Sequence, residues 1–151
     1  MPAHSSISAL AGQRGIVNLD ALYSALRRRF PDHPVVLDPA PSGEGAGTSL
    51  RVAAAHPEVG GVVITDDGDE VTVCVEGITH GHFGCYDEGV TRTEAETLIA
   101  DDVVAFLDAL FADRVLLWRA GGMGGWEVQD APVREASSQT GRRCFVWSGP
   151  L

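Results

Sequence analysis

The sequence predicts an α+β domain of two layers, a mainly antiparallel sheet packed against one long amphipathic helix and a shorter N-terminal helix. Three observations carry this expectation. Residues 61–76 read GVVIT, DDGD and EVTVCVE, two β-branched runs around an Asp-Gly turn, which is the pattern of a β-hairpin over about 60–76. Over about 94–112, apolar residues from Ala95 and Leu98 through Phe106, Leu107 and Phe111 recur at three- and four-residue intervals, the period of a helix with one buried face. Leu19, Leu22, Leu26 and Phe30 repeat the same period over about 18–30. Helices grouped beside hairpin-linked strands, rather than alternating with them, build this class of domain.

Taken in order, residues 1–15 hold no sustained period and read as a loose leader. Asn18 is suited to cap the first helix, and Pro31, with Pro34 behind it, ends it. Val35–Leu37 reads as a short strand, followed by the loop-forming stretch PAPSGEGAGTS and a second short strand over Leu50–Ala55. In the hairpin, Val71, Val73 and Val75 share one face and Thr72, Cys74 and Glu76 the other, because side chains alternate along a strand. The segment GITHGHFGCYDEG leads to the long helix, where Thr93 followed by Glu96 has the spacing of a capping box. Val115–Trp118 resumes strand character, AGGMGGW reads as a flexible connector, and short strands are expected at Trp126–Gln129 and Arg143–Trp147. The chain has no internal repeat, and its 151 residues fit a single domain, 1–151.

Charge narrows the function classes. The net charge is −10, and all eleven basic residues are arginine. Nucleic acid is bound by a cationic surface that releases counterions, so a nucleic-acid partner is not expected. No apolar run approaches the ~18 residues of a membrane span, so no membrane partner is expected either. The first residues lack a cationic start followed by an apolar core. Three cysteines without a C-x-x-C pair then read as free thiols in a cytoplasmic protein. Arginine without lysine, with abundant Ala, Gly and Val, fits a GC-rich bacterial coding sequence.

One segment offers chemistry. THGHFGCYD, residues 79–87, holds His80, His82, Cys85 and Asp87. If it is a strand, the two imidazoles share a face and can chelate zinc or another divalent transition metal, with Cys85 or Asp87, or a distant His33 or His56, completing the set. The competing reading takes Gly77, Gly81 and Gly84 as turns, which would break that geometry. GGMGGW does not match a phosphate loop, since such a loop needs a lysine and the chain has none. No serine lies in a G-x-S-x-G elbow, and Cys85 near His82 in sequence is not a catalytic pair in space.

The expectation is therefore a non-catalytic, acidic domain that binds another protein, a basic one. Its contacts are expected on the acidic helix face, Glu94, Asp101 and Asp108, and at Met123 and Trp126. In size, acidity and α+β make-up the chain resembles intracellular bacterial immunity proteins, which neutralise a toxin by covering its active site; the likeness is one of profile. The alternative is a metal- or small-ligand-binding protein, enzymes included, centred on residues 79–87. A homodimer formed through a sheet edge is a third course.

Overall fold

The computed structural model describes residues 18–38, 49–135 and 141–151. The leader over 1–15 and the loop expected after Asp38, up to Thr48, lie outside the described residues. Among the described residues eleven elements follow in order: α1 (Leu19–Arg29), β1 (Val35–Asp38), β2 (Ser49–Val52), β3 (Val62–Asp66), β4 (Glu70–Val75), β5 (Thr79–Gly84), α2 (Arg92–Phe111), β6 (Val115–Ala120), β7 (Met123–Val128), β8 (Arg143–Val146) and β9 (Gly149–Pro150). The fold is α+β, and every strand pairing is antiparallel. The strands divide into two sheets: a five-stranded meander, β1-β2-β3-β4-β5, and a four-stranded sheet in the order β7-β6-β8-β9.

Alternation sets the layers. On the inner face of the meander Leu50, Val62, Ile64, Val71, Val73 and Val75 are all but fully buried. Against them lie Leu22 and Leu26 of α1, Ile99, Val103, Leu107 and Leu110 of α2, and Leu117 and Phe145 of the second sheet, in one continuous core. Removing each such side chain from water stabilises the fold by about 1.5–3 kcal/mol, which is why the strands keep this register. α1 lies across β1 and β2, and α2 crosses β4, β5 and β7.

Both described helices begin on side-chain caps. Asn18 Oδ1 accepts from the backbone N–H groups of Asp20 and Ala21 at 3.0 and 3.2 Å. α2 opens two residues earlier than the Thr93–Glu96 spacing predicts. Thr91 is its N-cap, accepting from Glu94 N–H, while the Glu94 carboxylate accepts from Thr91 N–H at 2.9 Å. TRTEAE contains the T-x-x-E spacing twice, and the register that closes is the earlier one.

The end of α2 is held by an unusual residue. Asp113 is left-handed, with φ 58°, where glycine is the common choice. Asp113 N–H bonds Leu110 O and Arg114 N–H bonds Ala109 O, which completes a Schellman motif. The carboxylate offsets the backbone strain by accepting from Ser148 N–H at 3.0 Å and Ser148 Oγ at 2.6 Å. It thereby ties the helix to the β8–β9 turn.

The largest departure from expectation is GGMGGW. It is not a flexible connector but a hairpin, in which Ala120 pairs with Met123 around Gly121-Gly122 and the strand starts at Met123. Gly121 takes φ 60°, as a tight two-residue turn requires. Gly124 and Gly125 serve close approach instead: a Cβ on the first would lie 1.9 Å from Ile78 O, and one on the second would meet the Trp118 ring at 2.5 Å.

Candidate functional site

Among the described residues, the helices and the second sheet pack on the inner side of the meander and leave its outer face open. Across it stand Arg51 on β2, Val63 and Thr65 on β3, Glu70, Thr72 and Cys74 on β4, and His80 and His82 on β5, each half-buried or exposed. Residues 79–84 are a strand, so the two imidazoles do share one face. Their ring centroids are 5.2 Å apart, at an interplanar angle of 86°. Of the three glycines, Gly77 does lie in a turn, between β4 and β5 with φ 77°, but Gly81 and Gly84 lie within the strand. A Cβ at Gly81 would meet the Trp126 ring at 2.3 Å on the inner side, and one at Gly84 would meet the Tyr86 ring at 2.7 Å.

Pairing in register brings Thr72 opposite His82 and Cys74 opposite His80. His82 Nδ1 lies 3.1 Å from Glu70 Oε1 and 3.1 Å from Thr72 Oγ1. The single proton of the Thr72 hydroxyl is donated to Asp67 Oδ2. Both neighbours can therefore accept from Nδ1–H of His82, and in the neutral imidazole with that tautomer Nε2 keeps its lone pair. Glu70 Oε2 accepts from the Tyr86 hydroxyl at 2.5 Å. That bond, ahead of desolvation and the nearby charges of Glu70 and Asp69, holds the Tyr86 phenol above its ordinary value of 10.0. The Cys74 thiol is also pushed up, by burial first and then by Glu76, so it stays protonated at neutral pH and is no ready nucleophile.

The other expected ligands do not join the histidines. Cys85 packs against the core, and Asp87 is exposed beyond the end of β5. Among the described residues no three His, Cys, Asp or Glu side chains converge on a shared metal position.

The expected contact residues take several different places. The Glu94 carboxylate closes the cap of α2. Asp108 bridges Arg29 of α1 and Arg114, the latter at 3.3 Å. Asp101 is exposed on α2 beside a shallow groove floored by Ala21, Leu22 and Ala100. Met123 is 71% exposed at the tip of the β6–β7 hairpin. Trp126 faces inward, its ring centroid 4.2 Å from Phe106 and 6.3 Å from Phe83.

The exposed aromatic that sequence reading did not single out is Tyr86, 77% exposed. Its ring lies over Gly84 with carboxylates about it: Glu70 in contact, Asp69 close enough to act on its phenol, and Asp87 and Glu88 next in the chain. A signal was present, since Tyr86 stands directly before two acids and a glycine with no helical or strand partner to bury it. The setting is broader than one turn. From Glu58 to Asp108 the chain holds thirteen carboxylate residues and one arginine, Arg92, which pairs with Glu96 at 3.3 Å.

The arginines gather elsewhere. Arg119 and Arg143 lie over Phe145, at 5.3 and 5.4 Å, and tie the second sheet to the first through Gly77 O and Glu58. Arg142 stacks on Trp118 at 3.9 Å.

The chain matches no protein-family model, no curated protein and no solved structure. No described helix is long and apolar enough to cross a membrane.

Proposed function

We propose that this chain is a non-catalytic protein-binding domain that receives a basic partner at the end of the meander formed by the β3–β4 turn, the exit of β5 and Tyr86. The observation that carries the reading is Tyr86, a flat aromatic surface 77% exposed among carboxylates. Such a ring accepts an arginine or lysine side chain over its face, while the surrounding acids pair with the same charge. Aromatic anchors of this kind supply much of the affinity of an interface, and the acidic surround speeds encounter with a cationic surface. Placing the anchor at Tyr86 moves the contact away from Trp126 and Asp108, which have structural duties.

In this reading the chain acts as a cytoplasmic immunity protein of bacterial type, covering a basic toxin. A toxin gene beside its own would support that narrower form, and a biosynthetic cluster there would count against it.

The test is affinity capture from extract of the source cells, with wild type, Tyr86→Ala and a quadruple variant neutralising Asp67, Asp69, Asp87 and Glu88 to their amides. A basic protein held by wild type, released as salt screens the charges, and lost in both variants is the expected outcome. Equal recovery of the same protein by all three chains would overturn the proposal.

A further inference from the structure

We infer that the outer face of β5 carries a binding site for a divalent transition-metal ion of the zinc class, ligated by Nε2 of His80 and Nε2 of His82, with Glu70 as the carboxylate that orients the second imidazole. The inference stands apart from the protein-binding reading.

Strand alternation puts both rings on one face, where both residues are exposed, and their centroids are 5.2 Å apart. Two imidazoles on one ion, with metal–nitrogen bonds of about 2.0–2.1 Å and about 90–110° between them, hold their centroids about 4.5–5.2 Å apart. The centroid spacing of 5.2 Å lies at the upper end of that range.

The protonation pattern suits a shared ion. A ligating imidazole needs a bare nitrogen, and Glu70 Oε1 and Thr72 Oγ1, each 3.1 Å from His82 Nδ1, favour the neutral tautomer with its proton on Nδ1 and Nε2 bare. This carboxylate–histidine pairing fixes the ring and raises the basicity of the ligating atom. Glu70 is itself held by the Tyr86 hydroxyl at 2.5 Å, so the orienting group has a support of its own. The His80 imidazole makes no hydrogen bond among the described residues and can turn about its Cβ–Cγ bond to meet the ion.

Because among the described residues no third protein donor converges here, water fills the remaining positions, and the site is an open one. Imidazole donors select zinc, cobalt, nickel and copper over magnesium and calcium, which prefer oxygen.

Zinc titrated calorimetrically into the full chain is expected to show one ion bound per molecule, with no matching heat from magnesium. His80→Ala and His82→Ala each remove one of two ligands and are expected to abolish measurable uptake. Glu70→Gln tests positioning: zinc affinity falls about tenfold or more while the thermal midpoint of the metal-free protein is unchanged. Cobalt in place of zinc reports the ligands directly, since its visible absorption is expected to change in the histidine variants. Failure of the wild type to bind zinc, or undiminished binding by the His80→Ala, His82→Ala double variant, would overturn the inference, the latter by assigning the ion to another histidine.

Discussion

Trp126→Ala is expected to lower the stability of the fold by about 3 kcal/mol, the lower end of the range for deleting a packed tryptophan, because this ring is half-buried rather than sealed. The ring sits where three elements meet: its centroid is 4.2 Å from Phe106 of α2, and it fills the space that Gly81 of β5 leaves open. Its own strand, β7, belongs to the second sheet, so the side chain fastens one sheet to the other. Truncation leaves a void lined by Phe83, Phe106 and the β5 backbone, and rigid neighbours close such voids only in part. For a chain of this length the loss corresponds to a fall in thermal midpoint of about 6–12 °C. Thermal or urea unfolding measures it. A midpoint equal to wild type would mean that the indole is a surface group, and the contact role expected from the sequence would return.

Gly124→Ala is expected to be of comparable size, about 3 kcal/mol, at the upper end of overpacking costs. The added methyl would lie 1.9 Å from Ile78 O and 3.2 Å from Trp118 O. Both are backbone atoms, so no rotamer change relieves the clash, and β7 must withdraw from the start of β5. Gly122→Ala, in the same glycine run, is the control. Nothing lies within 4 Å of its added Cβ and its φ is not left-handed, so its stability is expected within about 0.5 kcal/mol of wild type. Chemical denaturation of the pair separates close packing from loop flexibility. Equal midpoints for the two would contradict the account of why glycine occupies 124.

These residues also show what the sequence made legible. Periodicity located both helices and the β3–β4 hairpin, because Val71, Val73 and Val75 face one core and α2 shows one apolar stripe to it. The same logic put His80 and His82 on one face. Glycine was harder to read. Gly81 and Gly124 make room for the Trp126 ring and the Ile78 backbone, brought there by distant parts of the chain, and local composition does not contain that information. Gly121-Gly122 was readable as a two-residue turn between β6 and β7, yet the next two glycines masked it. Charge misled in a similar way. Asp108 and Glu94 look like a solvated acidic stripe, but their partners are Arg29, Arg114 and the Thr91 backbone, the first of them far away in sequence. Tyr86 escaped notice because period analysis weights residues that recur, and an exposed anchor need not.

On the proposed function, this acidic end around Tyr86, and not the α1 side or the second sheet, meets the partner. Hydrogen exchange of the chain alone and saturated with its captured partner tests it most directly, since covered amides slow while the rest keep their rates. Slowing is expected to concentrate in residues 66–70 and 82–88. Slowing confined to α1 or to β8 and β9, with residues 66–70 and 82–88 exchanging as before, would contradict it.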